Sequence, residues 1–196
     1  MISRVESAAA TRRALLDAAT ELLDGGGPEA VTLRAVGALA GVTRGAPYRH
    51  FPDKDSLLTA VATEALDRLA QQVRAVRAEG LPPAGTLHRA LSALMTIGRH
   101  RPHLYRLMFA SPTGDLEAIR AAEQAADRAQ DEFLAVIGEL VGERDTRRFA
   151  ALLLTSAHGI TDMEVSGHLS ADKWHVTAEE LVSTLVSMIA RQARDA

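Results

Sequence analysis

The sequence predicts an all-α protein, and three observations carry that expectation. Ala, Leu, Arg and Glu dominate a chain whose aromatic content is 4%, a balance that suits helices better than sheets. Apolar residues recur at intervals of three and four along most of the chain, the period of one buried helical face. Between these stretches stand glycines, prolines and hydroxyl or carboxyl residues placed as helix stops and caps.

Length and composition narrow the class further. With 196 residues, 47% of them hydrophobic, the chain can bury a sizeable core. It contains no cysteine, which excludes disulfides, thiolate metal sites, iron–sulfur clusters and cysteine nucleophiles. Residues 1–10 lack the apolar segment of a secretory signal, and no apolar run approaches the ~18 residues of a membrane span, so the expectation is a cytoplasmic protein with no membrane partner. The formal charge of −3 is spread unevenly: residues 1–54 hold seven Lys and Arg against six Asp and Glu, the remainder fifteen against nineteen. Any nucleic-acid binding must therefore come from a few placed groups and helix termini, not from a polybasic surface.

The first helix is expected from Thr11, with Leu15, Ala18, Ala19, Leu22 and Leu23 on its buried face and Gly25, Gly26 and Gly27 as its stop. Thr32 is placed to cap a short second helix bearing Leu33, Val36, Leu39 and Ala40, and Gly41 suits the left-handed position after it. Thr43 is a second cap candidate, so a third helix begins almost at once and runs to about His50. Two short helices joined by a tight turn containing glycine form the helix-turn-helix pattern. Pro47, in the fourth position after Thr43, predicts a small distortion of that helix.

Phe51 and Pro52 end the segment, and Asp53 is placed to cap a long helix with Leu57, Leu58, Val61, Ala65, Leu69 and Val73 aligned. Leu81-Pro82-Pro83 breaks the chain again. Helices are then expected over about 84–99, 102–109 and 115–141. Two more, over about 145–169 and 177–194, carry broader apolar stripes, and Thr177 with Glu180 forms a capping box before the last. Such stripes fit either the central helices of one chain's core or a four-helix bundle shared by two chains, since a two-fold interface uses one patch twice.

The polar residues around the second and third helices stand where a duplex needs them. Thr32 and Thr43 cap adjacent helices, so hydroxyls and free amides can meet phosphates. Arg44, Gly45 and Ala46 are expected in the first turn of the recognition helix, with Arg44 reaching guanine edges, Gly45 permitting close backbone approach and Ala46 touching a thymine methyl. Tyr48, His50 and Lys54 are placed to donate to phosphates without reading sequence.

These residues, above all Thr43-Arg44-Gly45-Ala46-Pro47-Tyr48-Arg49-His50-Phe51 followed by Asp53-Lys54-Asp55-Ser56-Leu57-Leu58, resemble the tetracycline-repressor (TetR) family of transcriptional regulators. Ala157-His158-Gly159 and the later Trp174 are similar to a subgroup with a Trp/His/Gly signature in its C-terminal domain. The resemblance implies about nine helices: a DNA-binding domain over 9–54 and a ligand-binding and dimerisation domain over 55–196. It implies operator DNA as a partner, a homodimer through the last two helices, a small-molecule effector that releases a repressor, no catalytic residue and no cofactor. By position it assigns Thr32, Arg34, Thr43, Arg44, Gly45, Ala46, Tyr48, His50 and Lys54 to DNA contact. For the effector, expected to be apolar or aromatic, the candidate contacts are Met95, His100, His103, Leu104, Met108, Phe133, His158 and Asp162.

The rival from another class is a helical metal protein or enzyme using histidines of the C-terminal region. His100 and His103, with His158 and Asp162 elsewhere, are its only handhold. The sequence has no His-Glu-x-x-His pattern, no phosphate-binding glycine loop and no nucleophile elbow to support it.

Overall fold

The computed structural model describes residues 4–194 and is helical throughout, with no strand among the described residues. Among the described residues ten helices follow one another: α1 (Arg4–Ala30), α2 (Leu33–Leu39), α3 (Ala46–His50), α4 (Lys54–Ala78), α5 (Pro83–His100), α6 (Pro102–Phe109), α7 (Leu116–Val141), α8 (Thr146–Val165), α9 (Ala171–Trp174) and α10 (Ala178–Arg194). The all-α expectation holds. The helix beyond the expected nine is α9, a single turn in the connection between α8 and α10.

By contacts the chain forms two compact units, Met1–Leu66 with His103–Ala126 and Asp67–Pro102 with Asp127–Ala196. The chain passes from one to the other within α4, near Pro102 and within α7. The division does not follow a single boundary after residue 54, because α6 and the start of α7 return to the first unit.

In the first unit α1 packs against α2 and α3. Helix α1 begins before Thr11, and Gly25 and Gly26 continue it; the break is at Gly27, which takes φ +68°. Leu15, Leu16, Ala19, Leu23, Val31, Val36, Phe51 and Leu57 lose nearly all contact with water. Each large side chain among them contributes about 1.5–3 kcal/mol of burial. Asp53 starts α4 as expected, its Oδ1 accepting the Ser56 N–H at 2.7 Å. Asp115 does the same for α7, accepting from Ala118 N–H at 2.9 Å.

The connection from α6 to α7 is fastened to the first turns of α4. Ser56 Oγ accepts the Asp115 N–H at 2.9 Å, and Thr59 is bonded to both backbone groups of Thr113. Gly114, at φ +102°, is forced here: a Cβ would stand 2.5 Å from the Ser56 nitrogen.

In the second unit α5 packs against α8 and α10, and α8 against α10. Leu87, Leu91, Leu94 and Met95 of α5 meet a core completed by Leu153, Ala157, Val182, Val186 and Ile189. Arg99 ties the three helices together, donating to Glu164 at 2.6 Å and to Glu179 at 2.7 Å. That guanidinium holds the Glu179 carboxyl below the usual carboxylate range. The predicted capping box closes α10: Glu180 accepts the Thr177 N–H at 2.7 Å and Thr177 Oγ1 accepts the Glu180 N–H at 3.2 Å.

Candidate nucleic-acid interface

The helix-turn-helix is built from α2, the turn 40–45 and α3. Thr32, in extended backbone, caps α2 by accepting the Ala35 N–H at 3.1 Å, as its position predicts. Gly41 takes φ +65° after it, also as expected. The turn then closes with Val42 N–H on the Gly37 carbonyl at 3.2 Å and Ala46 N–H on the Thr43 carbonyl at 2.8 Å.

Thr43 is not the cap of the third helix. It opens the preceding turn, and Gly45 occupies the cap position with no side-chain bond. Pro47 explains the displacement. A helix starting after Thr43 would place the ring inside it, whereas a helix starting at Ala46 leaves Pro47 in the first turn, where its missing N–H costs no bond. The distortion expected at Pro47 is thereby avoided.

Gly37 permits this arrangement and was missed as a functional position. A Cβ at 37 would stand 2.7 Å from Pro47 Cγ, so the two helices cross as closely as they do because no side chain intervenes. Only a contact across the turn reveals this, and spacing along the chain carries no such signal.

Of the nine residues expected to face DNA, the structure exposes Thr32, Arg34, Thr43, Arg44, Gly45 and Tyr48 and leaves His50 and Lys54 half-buried. Ala46 is the correction: it is 3% exposed and packs between α1 and α3, so it offers almost no methyl surface to a thymine. Arg34, Arg44 and Tyr48 come together on one surface depression of about 310 Å³, floored by Gly37 and Pro47. Tyr48 presents a large aromatic ring there at 57% exposure, a position with no role in the core. A second depression of about 600 Å³ joins Thr43 and His50 to Arg49 and to Ser7 and Thr11 of α1. Those three are additions, and Ser7 lies before Thr11, where sequence periodicity starts the first helix. Behind this face, Arg12 sets its guanidinium 5.3 Å from the centre of the buried Phe51 ring.

The candidate effector residues divide between the two units and are mostly accounted for by packing. Met95, Leu104 and Phe133 are core side chains at 0%, 1% and 3% exposure, with almost no surface to offer a ligand. His100, His158 and Asp162 are exposed, with His100 Nδ1 3.0 Å from the Thr96 carbonyl of its own helix. His103 lies half-buried with its ring against the Gly27 backbone. Met108 alone of the eight lines a cavity of about 310 Å³ in the first unit, between α4, α6, the 110–113 segment and α7. Among the described residues no three His, Asp or Glu side chains gather as a metal site. No helix among them is long and apolar enough to cross a membrane.

Two helices joined by a tight turn, the second preceded by exposed Arg44 and bearing exposed Tyr48, define a helix-turn-helix DNA-binding protein. Residues 15–61 match the family described as bacterial regulatory proteins, tetR family, and residues 87–189 match the tetracyclin repressor-like C-terminal domain. The chain belongs to the TetR family of DNA-binding transcriptional regulators. It is 31% identical over 183 residues to HTH-type transcriptional repressor Rv3405c of Mycobacterium tuberculosis (strain ATCC 25618 / H37Rv), a match covering 88% of this chain and 87% of the relative. Among solved structures it is similar to a protein of unknown function from Rhodococcus sp. RHA1, with a TM-score of 0.79, 23% identity and coverage of 93% and 94% of the two chains. RolR in complex with resorcinol superposes with a TM-score of 0.62 at 20% identity, covering 98% of this chain and 95% of that one. FadR from Bacillus subtilis in complex with stearoyl-CoA does so at 0.65 and 15%, covering 91% and 97%. At these identities the structural likenesses establish the fold.

Proposed function

We propose that the protein is a repressor which binds a pseudo-palindromic operator as a homodimer in the cytoplasm and leaves it when a small molecule binds. The observation that carries the DNA-reading part is the convergence of Arg34, Arg44 and Tyr48 on one depression beside the Thr32-capped helix. Arg44 supplies the base contact, its planar fork matching a guanine edge. Thr32, Arg34, Thr43, Tyr48, His50 and Lys54 position the duplex through phosphates, with Gly45 allowing close approach. Repression is supported by the character of Rv3405c, and ligand control by the complexes of RolR and FadR.

The dimer reading rests on α8 and α10. Leu152 and Met163 of α8 and Met188 of α10 stand 47%, 40% and 55% exposed, although other residues of both helices fill the core of their unit. A second copy applying the same face covers them. A ligand then weakens DNA binding only to the extent that it favours the conformation that does not fit DNA. No specific observation favours a metal protein or an enzyme.

The test is selection of bound fragments from the source genome by the purified protein. Enriched fragments sharing an inverted repeat, with affinity falling as salt rises, support the reading. Uniform recovery of the genome refutes it.

A further inference from the structure

We infer that Arg49 is a second base-reading side chain, reaching back over Gly45 to the edge of a guanine that Arg44 does not contact. This role rests on the operator-binding reading above and deepens it, because it gives sequence preference to a residue that the motif alone left without a task.

The geometry of α3 puts the guanidinium in the right place. Ala46 and Pro47 are buried, while Arg44, Gly45, Tyr48 and Arg49 are exposed. Gly45 already has helical backbone angles, φ −89° and ψ −9°, so positions 45 and 49 stand one turn apart on one face. Long side chains on a helix lean toward its N-terminus, and Arg49 does so: a Cβ on Gly45 would stand 4.0 Å from Arg49 Nη1. Its charged end therefore lies beside the first turn of α3, the turn that meets base edges in a helix-turn-helix. Gly45 has no side chain to stand between that guanidinium and the groove.

Arg49 is also free to turn toward DNA. Arg13, Arg77 and Arg99 are each held by a carboxylate, whereas among the described residues none pairs with Arg49. The depression of about 600 Å³ that it borders carries the hydroxyl residues Ser7, Thr11 and Thr43 and no Asp or Glu. An approaching polyanion meets no like charge there, and the guanidinium gives up no ion pair to reach it.

Arg44 borders the other depression, together with Arg34 and Tyr48. The two arginines thus approach the groove from different sides of one turn and serve different base pairs. A planar fork with parallel N–H donors matches the O6 and N7 acceptors of guanine, which makes guanine the base that Arg49 selects.

The test selects binding sites from random-sequence duplexes with the full chain as wild type, Arg49→Ala, Arg49→Gln and Arg44→Ala. Wild type is expected to require a guanine in each half-site whose preference both Arg49 variants lose and Arg44→Ala keeps. Affinity of Arg49→Ala for the wild-type site is expected to fall roughly 5- to 150-fold. Substituting 7-deazaguanine for that guanine removes the N7 acceptor without altering the protein; it weakens the wild-type complex and leaves the Arg49→Ala complex unchanged. The inference is overturned if the Arg49 variants keep every base preference, whether affinity is unaltered or lowered for all sequences alike as for a phosphate contact. It is overturned too if the lost preference is for another base, if Arg44→Ala loses the same guanine, or if 7-deazaguanine weakens both complexes equally. An inverted repeat selected by wild type but indifferent to residue 49 sinks this role alone, whereas selection of no shared sequence sinks the repressor reading with it.

Discussion

The hydroxyl of Thr59 donates to the Thr113 carbonyl at 2.7 Å and accepts the Thr113 N–H at 3.2 Å, so one side chain satisfies both backbone groups of a residue in the α6–α7 connection. Thr59 is 4% exposed, which means its own hydroxyl has no water to turn to when the pair is broken. Thr59→Val keeps the shape and removes both bonds. It is expected to cost about 1 kcal/mol, measured as a shift of the urea midpoint, whereas Thr59→Ser recovers most of the loss. Equal stability of the valine and wild-type proteins would show that the fastening contributes nothing.

The neighbouring Gly114 tests the same contact by steric means. It combines φ +102° with a backbone approach that puts a Cβ 2.5 Å from the Ser56 nitrogen and hydroxyl. Gly80 supplies the comparison, with φ +70° and open space around it. Gly80→Ala is expected to cost about 1 kcal/mol for backbone conformation alone. Gly114→Ala must add displacement of Ser56 and is expected to exceed about 2 kcal/mol by the same urea measurement. A penalty no larger than that at Gly80 counts against the close approach.

In the reading head, Arg44 and Lys54 are assigned different tasks. Arg44→Ala removes a base contact and is expected to relax preference at one base of each half-site, at a cost of about 1–3 kcal/mol. Lys54→Ala removes a phosphate contact, weakens every sequence alike and lowers the slope of affinity against salt. Competition binding against operator variants separates these patterns. Identical effects on specificity would contradict the assignment.

Much of this architecture was legible because it is local. The caps at Thr32, Asp53 and Thr177 depend on residues three positions away, and the stripe from Leu57 to Val73 on a helical period, so each could be read from the chain alone. What was not legible is tertiary. Thr43 looks as good a cap as Thr32, and only the demand of Pro47 for the first turn moves the helix start to Ala46. In so short a helix, periodicity does not say which face is buried, which is how Ala46 was placed toward DNA. The effector candidates divide for a related reason: Met95, Phe133 and Met108 are all apolar positions on helical stripes, and packing alone decides which two are closed into the core and which lines a cavity.

Asp53 links the reading head to pH. Its carboxylate accepts the Ser56 N–H at 2.7 Å, and that bond holds its pKa below the usual value. A group depressed in the folded state contributes stability above its unfolded pKa, about 3.9, and loses it as the pH falls through the folded value. Asn at this position keeps an acceptor for the cap but does not titrate. The advantage of wild type over Asp53→Asn is therefore expected to be full at pH 6 and to shrink as pH is lowered from about 5 to about 2. A constant difference in urea midpoint across that range would show that the cap does not depend on charge.

Oligomeric state is the last expectation, and exposure makes it testable without unfolding the chain. Leu152 and Met188 are 47% and 55% exposed within one chain, so replacing them disturbs little of the core that Leu153, Val182, Val186 and Ile189 form beside them. At the centre of a two-fold interface, however, a carboxylate introduced at either position is buried twice, once from each copy, with no counter-charge supplied. Leu152→Glu and Met188→Glu are thus expected to convert a dimer to a monomer in analytical ultracentrifugation while helicity by circular dichroism is unchanged. Operator affinity should fall with them, because two half-sites are then bound independently. Variants that remain dimeric at micromolar concentration place the interface on some other face.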